Sequence, residues 1–177
     1  MTDFRVHLAE RLRGAQRIAV LAVGSALRGD DVAGLLVAQH VDRLLSREGC
    51  EHASRRPLAP EIRTFMGETA PENLTGEIKR FAPTHLIVVD AADCWTDVGH
   101  VGIIGSDAPS GNLSFSTHSL PLAVMTDYLS RFIQCQVVMI GIQAAARAFG
   151  QPPSAQVLAS ANELAAAIVD VVHGREK

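Results

Sequence analysis

Acidic side chains stand in two places where a cation could bind. Asp30 and Asp31 follow the loop of residues 24–29 (GSALRG), and Asp90 follows the apolar run of residues 85–89 (HLIVV). The loop has the glycine spacing of a phosphate-binding loop, but it lacks the Lys that such loops need, and two carboxylates would repel a phosphate. A divalent cation fits better, because a helix N-terminus keeps carboxylates ionised and ready to coordinate.

Each of these acids also has a purely structural interpretation. Acidic residues at a helix start are frequent N-caps, and capping explains the pair as well as metal binding does. Of the two, Asp30 is the better candidate for the cap and Asp31 for the ligand. An Asp such as Asp90 often accepts amides of its own loop. Without any partner, a carboxylate at this buried position would be costly.

His118 is the third candidate ligand. It lies in the polar segment SFSTHSLP, directly before a predicted helix and not on an apolar face, which disfavours a packing role. Two carboxylates and one imidazole suit nickel or zinc, with coordination positions left for a substrate. The chain has no HExxH motif, and Ser25 lacks the flanking glycines of a nucleophile elbow. These absences argue against thermolysin-like and serine-based catalysis.

Strands and helices are predicted to alternate along the chain, which indicates how these side chains are positioned. Continuous apolar runs predict buried parallel strands, and apolar residues at helical spacing predict helices. Capping patterns predict two helix starts, one at Thr69 with Glu72 and one at Ser160 with Glu163. The predicted strands are residues 18–23, 62–66, 85–89 and 136–142, with an edge strand at 100–104; the predicted helices are residues 4–12, 31–45, 71–81, 120–132 and a C-terminal helix from 160.

This alternation predicts a three-layer α/β sandwich, with a mainly parallel central sheet and helices on both faces, in one domain covering residues 1–177. In such sheets the ligand crevice lies at the carboxyl ends of the strands. Several polar residues follow the predicted strands directly and should therefore share one rim. They are Asp30, Asp31, Glu68, Asp90, Asp93 and Gln143.

Composition limits the classes of partner. The 177 residues are 47% hydrophobic and 20% charged, with a net charge of -3, so no basic stripe for nucleic acid is indicated. The three cysteines form no CxxC pair, which favours a reducing cytoplasm. No signal peptide and no membrane insertion are expected.

Five short motifs together resemble the hydrogenase maturation endopeptidases. They are GSALRGDD (24–31), APEN (70–73), LIVVDA (86–91), STHSLPL (116–122) and GIQ (141–143), within a likeness that runs from residue 18 to residue 143. The likeness is strongest to the branch that processes energy-converting or formate-hydrogenlyase NiFe hydrogenases. It implies an endopeptidase that trims the C-terminal extension of the nickel-loaded large-subunit precursor.

The resemblance also implies roles for individual residues. Asp31, Asp90 and His118 match the family residues thought to contact the nickel held in the substrate, so the metal would arrive with the precursor and no organic cofactor is expected. Two positions depart from the family pattern, since Ser25 stands for the usual Asn and Met66 for a frequent Asp. Glu68 is a candidate replacement for that Asp.

Two other functions are kept as alternatives. One is a non-catalytic chaperone that inspects the nickel-loaded large subunit with the same acidic crevice. The other is a zinc-dependent hydrolase of small substrates, which would carry tightly bound metal. In the endopeptidase hypothesis, either Asp31 or Asp90 could also act as general base, and we expect the protein to be a monomer.

Overall fold

The computed structural model describes residues 2–52, 60–93, 97–104, 114–115, 126–131 and 134–175. Its helices are α1 (Thr2–Arg11), α2 (Ala33–His52), α3 (Thr75–Phe81), α4 (126–131) and α5 (Ala155–Val172). Its strands are β1 (Arg17–Val23), β2 (Glu61–Glu68), β3 (His85–Asp93), β4 (Val101–Ile103), β5 (Ser114–Phe115) and β6 (Gln136–Gln143). Turns of 3-10 helix, Gly29–Val32 and Pro71–Leu74, precede α2 and α3.

The sheet has the strand order β2-β1-β3-β6-β4. The first four of these strands run parallel, with Ile18 opposite both Ile62 and His85, and His85 opposite Gln136. Strand β4 is antiparallel to β6, and the two-residue β5 pairs antiparallel with the end of β3. The four predicted parallel strands and the predicted edge strand are confirmed.

Alternating side chains of the parallel strands enter two separate cores. On one face, Ile18 and Val20 pack in a cluster with residues of α1, α2 and α5. On the other face, Ala19 and Leu21 pack in a cluster with residues of α3 and α4. Burying each large aliphatic side chain stabilises the fold by about 1.5–3 kcal/mol. The predicted three-layer α/β arrangement is confirmed.

Helix α5 begins earlier than predicted. Its N-cap is Ser154, whose Oγ accepts a hydrogen bond from Val157 N at 3.4 Å. Ser160 lies inside the helix, and its Oγ donates to Gly99 O at 2.6 Å. The predicted capping box of Ser160 and Glu163 is therefore wrong, because the Ser160 hydroxyl serves a tertiary contact.

The predicted capping at Thr69 is also wrong. The N-cap of the 3-10 turn Pro71–Leu74 is Ala70, and it makes no side-chain capping hydrogen bond. Thr75 contributes instead, by donating from Oγ1 to Glu72 O at 2.7 Å. The segment still ends where predicted, at Phe81, since Ala82 adopts a left-handed conformation with φ of 50°.

By length and composition alone, α5 could cross a membrane, with a mean hydropathy of 1.4. In this structure its apolar side is a core surface. Val157, Leu164 and Ile168 are fully buried in the cluster that α5 shares with α2 and the sheet. The hydropathy of α5 is thus explained by packing within the domain.

Candidate active site at the carboxyl edge of the sheet

The crevice of the sheet lies between β1 and β3. Strand β2, which follows β1 in the chain, lies on one side of β1 in the sheet, and β3 lies on the other side. The connections that follow β1 and β3 therefore leave the sheet in different directions, which is where open α/β sheets bind ligands. The connection after β1 carries Asp31, and β3 carries Asp90 near its end.

Helix α2 begins directly over the ends of these two strands. A Cβ on Gly34 would overlap the carbonyl oxygens of Val23 and Val89, so only glycine permits this approach. The 3-10 turn Gly29–Val32 also contacts β3. The start of the helix thereby brings Asp31 to the end of the strand that carries Asp90.

The backbone of Asp31 is fixed by its own loop. Its carbonyl accepts from Ser25 N at 3.0 Å, and its N–H donates to Arg28 O at 3.0 Å. The same carbonyl fills the space that a Cβ on Gly24 would need, and Gly24 has a φ of 135°, which favours glycine. The side chain of Asp31 therefore starts from a rigid, hydrogen-bonded turn.

The carboxylates of Asp31 and Asp90 are both buried, with 3% and 1% of their residue surfaces exposed. Asp90 Oδ1 accepts a hydrogen bond from Ala91 N at 2.7 Å, as the structural interpretation of this residue expected. By contrast, no donor in the described part of the chain hydrogen-bonds the Asp31 carboxylate. The Asp31 carboxylate is therefore available to a ligand in the crevice.

Asp30 has a different function from the one predicted. It does not cap the helix that follows it; its carboxylate accepts backbone amides from the segment after β6. Oδ1 accepts from Ser154 N at 2.6 Å, and Oδ2 accepts from Ala145 N at 2.8 Å and Ala146 N at 3.2 Å. Burial alone would raise the pKa of Asp30, but these hydrogen bonds outweigh it and lower the pKa below its ordinary value. Asp30 is thus a structural anion that fastens the loop of Asp31 to the rest of the rim.

The other predicted rim residues also follow the carboxyl ends of parallel strands. Gln143 is buried and donates from Nε2 to Asp93 Oδ1 at 3.2 Å and to Ala144 O at 3.0 Å. The carbonyl of Glu68 accepts from Gly24 N at 2.9 Å, which joins the end of β2 to the loop of Asp31. The side chains of Asp93 and Gln143 are therefore engaged with each other.

His118, the predicted third ligand, lies outside the described residues. Among the residues that the structure does describe, no group of three His, Cys, Asp or Glu side chains is arranged to hold a metal ion. The structure shows that the turn of Asp31 contacts β3, the strand that carries Asp90. Their joint use with His118 remains a prediction.

Arg147 is a rim residue that no sequence pattern singled out. It follows β6 in the segment that docks on residues 29 and 30, and its Nε and Nη2 are buried without a hydrogen-bond partner among the described residues. A buried guanidinium without an acceptor is costly, and carbonyl or carboxylate oxygens are its natural ligands. No short motif marks the residue, because its burial depends on the packing of two distant loops.

Known proteins with similar sequences are hydrogenase maturation proteases. The family model of HycI, a hydrogenase maturation protease, matches residues 51–174. A protein from Methanocaldococcus jannaschii, provisionally assigned as a hydrogenase maturation protease, is 31% identical over 165 residues, which cover 93% of this chain and 94% of that protein. Hydrogenase 3 maturation protease from Escherichia coli strain K12 is 33% identical over 124 residues, or 70% of each chain.

The fold is shared with solved structures. The crystal structure of the NiFe hydrogenase maturation protease HycI from Thermococcus kodakarensis superposes with a TM-score of 0.71. At 23% identity, the match covers 94% of this chain and 99% of that chain. This structural likeness supports the α/β architecture and its strand order.

Proposed function

Since the chain belongs to the hydrogenase maturation protease family, we propose that it removes the C-terminal extension of a nickel-loaded NiFe hydrogenase large-subunit precursor. The observation that carries this proposal is the buried carboxylate of Asp31, which no described donor hydrogen-bonds, in the crevice that also receives Asp90. Such a pair suits a substrate that presents a divalent cation. The precursor is the partner, and the cytoplasm is the proposed location.

The nickel belongs to the substrate in this proposal. Asp31, Asp90 and His118 contact it when the precursor docks, and two oxygens and one nitrogen leave coordination positions for the scissile carbonyl or for water. The metal thereby reports that the precursor has been loaded. An empty precursor offers these carboxylates no cation and binds poorly.

The two carboxylates differ in how well they suit a proton transfer. The Ala91 amide holds Asp90 Oδ1 in one orientation, which suits a fixed ligand. The Asp31 carboxylate has no described donor, so it can accept a proton from the attacking water. Water adds to the scissile carbonyl, the C–N bond breaks, and the proton passes to the leaving amine.

The test is incubation of the purified chain with candidate precursors, with and without nickel, followed by mass spectrometry of the precursor. Asp31→Asn, Asp90→Asn and His118→Ala should each retain the fold and lose trimming of the nickel-loaded form, by about 100-fold or more. Asp93→Asn is the matched control, because Asp93 lies on the same rim but is held by Gln143. It should trim almost as well as the wild-type chain.

The incubation, together with a binding measurement and a metal analysis of the purified chain, separates the alternative functions. Binding without shortening of the precursor indicates the chaperone, and tightly bound zinc in the purified chain indicates the zinc hydrolase. Normal trimming by Asp31→Asn and by His118→Ala contradicts the proposed site. Equal trimming with and without nickel contradicts the role of the metal.

A further inference from the structure

A groove of about 430 Å³ lies between β2 and α3, on the face of the sheet opposite α2. Two aromatic rings lie at its floor. Phe65 and Phe81 meet there with their ring centroids 5.9 Å apart, and Leu74 packs beside them. Only 5% of Phe65 and 7% of Phe81 is exposed, so a bound segment would meet mainly the backbone of β2 and the charged side chains of the walls.

One wall of the groove is β2, which lies at the edge of the sheet that the described strands form. Strand β2 is outermost in the strand order, and Glu61 N donates inward to Gln16 O at 2.9 Å. In a strand, the N–H and C=O of one residue point to the same side, and those of the next residue point to the opposite side. Because Glu61 faces β1, the N–H and C=O groups of Thr64 and Met66 face outward. Both residues line the groove. Their amides and carbonyls can therefore pair with an added strand.

The groove carries excess positive charge. The guanidinium of Arg63 lies over the ring of Phe81, 4.9 Å from its centroid, and Arg80 lines the same wall as the single acid Glu77. Neither arginine forms an ion pair with any described residue. Both are exposed and available to carboxylates of a bound segment.

The end of β2 beyond the groove is joined to the loop of Asp31. The carbonyl of Glu68, the last residue of β2, accepts from Gly24 N, which belongs to the loop of Asp31. Strands rise about 3.3 Å per residue, so the lining of β2 from Met66 to Arg63 extends the site by roughly 10 Å. A peptide that is cut in the crevice can reach this groove with three or four extended residues.

We infer that this groove binds the C-terminal extension of the precursor as an added strand along β2, with an acidic side chain or the terminal carboxylate against Arg63 and Arg80. The inference rests on the proposed function, because it assigns the docking site of that substrate. The occupant is an extended, acidic peptide segment.

The test uses the full chain with the nickel-loaded precursor and with a fluorescent synthetic peptide of the same C-terminal extension. Met66→Pro removes one outward amide without breaking the inner ladder. It should raise KM for the precursor and Kd for the peptide about tenfold, with the loss in KM and not in kcat. Met66→Ala keeps the amide. The increase in KM and Kd that it causes should be at least three times smaller than the increase caused by Met66→Pro.

A charge reversal provides a second, independent variant. Arg80→Glu should also raise KM and Kd about tenfold, whereas Arg17→Glu, the same change at the exposed start of β1, should leave both near the wild-type values. Arg80 is on the surface, so its replacement should not perturb folding, and thermal unfolding of each variant checks this.

The outcomes distinguish this inference from the proposed function. If the wild-type chain trims the precursor and Met66→Pro and Arg80→Glu keep its KM and Kd, the groove is not the docking site, although the protease remains. If the wild-type chain fails to trim but these two variants weaken peptide binding, the groove is a peptide site and the protease proposal fails. Absence of peptide binding by the wild-type chain contradicts the inference directly.

Discussion

Asp30 and Asp31 are adjacent and chemically identical, yet the fold places their carboxylates in different environments. Three backbone amides donate to the Asp30 carboxylate, and no described donor reaches that of Asp31. The two environments differ because the carboxylate of Asp30 faces the segment that follows β6, where its amide donors lie. Stability should therefore depend on Asp30, and catalysis should depend on Asp31.

Substitution of Asp30 tests this division. Asp30→Ala leaves three amides without an acceptor and should lower the free energy of unfolding at pH 7 by about 3 kcal/mol or more. Urea unfolding followed by circular dichroism measures the loss. Asp31→Asn removes no described hydrogen bond and should change the unfolding free energy by less than about 1 kcal/mol, although it should abolish trimming. Similar destabilisation by both substitutions would contradict the assigned roles.

At the scale of elements, Gly34 sets the position of α2 over the sheet. Alanine is favoured over glycine inside helices by about 1 kcal/mol, but a Cβ at Gly34 would overlap two strand carbonyls. Gly34→Ala should therefore destabilise the chain by about 1–3 kcal/mol and reduce trimming, because α2 and the turn that carries Asp31 must shift.

Gly76 provides a control for this substitution. It lies in α3, and within the described part of the chain a Cβ there would meet only Arg80 Nη1, at 3.7 Å. Gly76→Ala should thus stabilise the chain by about 0.5–1 kcal/mol through helix propensity. Thermal unfolding should show a lower stability for Gly34→Ala and a higher stability for Gly76→Ala than for the wild-type chain. A stabilised Gly34→Ala variant with normal trimming would show that the close approach does not matter.

Strands β1 and β3 were predictable because each is a continuous apolar run buried on both faces, and the parallel order of the strands then predicted the rim. The capping of helices was less predictable. The pattern at Ser160 satisfies the capping rule locally, but its hydroxyl bonds to Gly99, which lies 61 residues away in sequence. Asp30 is a similar case, since its partners lie 115 to 124 residues further along the chain. Local sequence carries no signal of such contacts.

The site could be predicted only in part for the same reason. The position of Asp31 and Asp90 at the crevice could be predicted because both lie near the carboxyl ends of buried strands that are neighbours in the sheet, whereas their use at a cation stays a prediction. Arg147 and the groove beside β2 depend on tertiary packing between segments that carry no motif. For example, Arg63 lies on β2 and Arg80 lies on α3. Both line the groove only because α3 packs on β2.

For the whole molecule, the proposed site and the buried imidazole of His85 are located at opposite ends of the sheet. The carboxyl edge carries the acidic crevice, and the basic groove runs from it along β2. In the proposed function this arrangement matches a substrate with a cation at the cleavage site and an acidic tail beyond it. The opposite edge carries His85, at the start of β3, which is buried and bonded through Nδ1 to Thr84 Oγ1 at 3.1 Å.

These buried groups predict how stability depends on pH. Burial lowers the pKa of His85 below its ordinary value of 6.5, and burial together with Arg43 lowers that of His40. The unfolded chain then binds more protons than the folded chain as pH falls below 6.5. Stability is therefore fully present above that pH and declines below it, by up to about 1.4 kcal/mol per pH unit for each proton taken up.

Asp30 should add a second decline at lower pH. Its folded pKa lies below the ordinary value of 3.8, so its contribution is present above pH 3.8 and is lost as pH falls through the folded pKa. Urea unfolding between pH 8 and pH 3 should show both declines. His85→Leu should flatten the curve between pH 7 and pH 5, and Asp30→Asn should flatten it only below about pH 4. If His85→Leu leaves the upper slope unchanged, His85 is not the group whose protonation opposes folding, and His40→Leu is the next variant to measure.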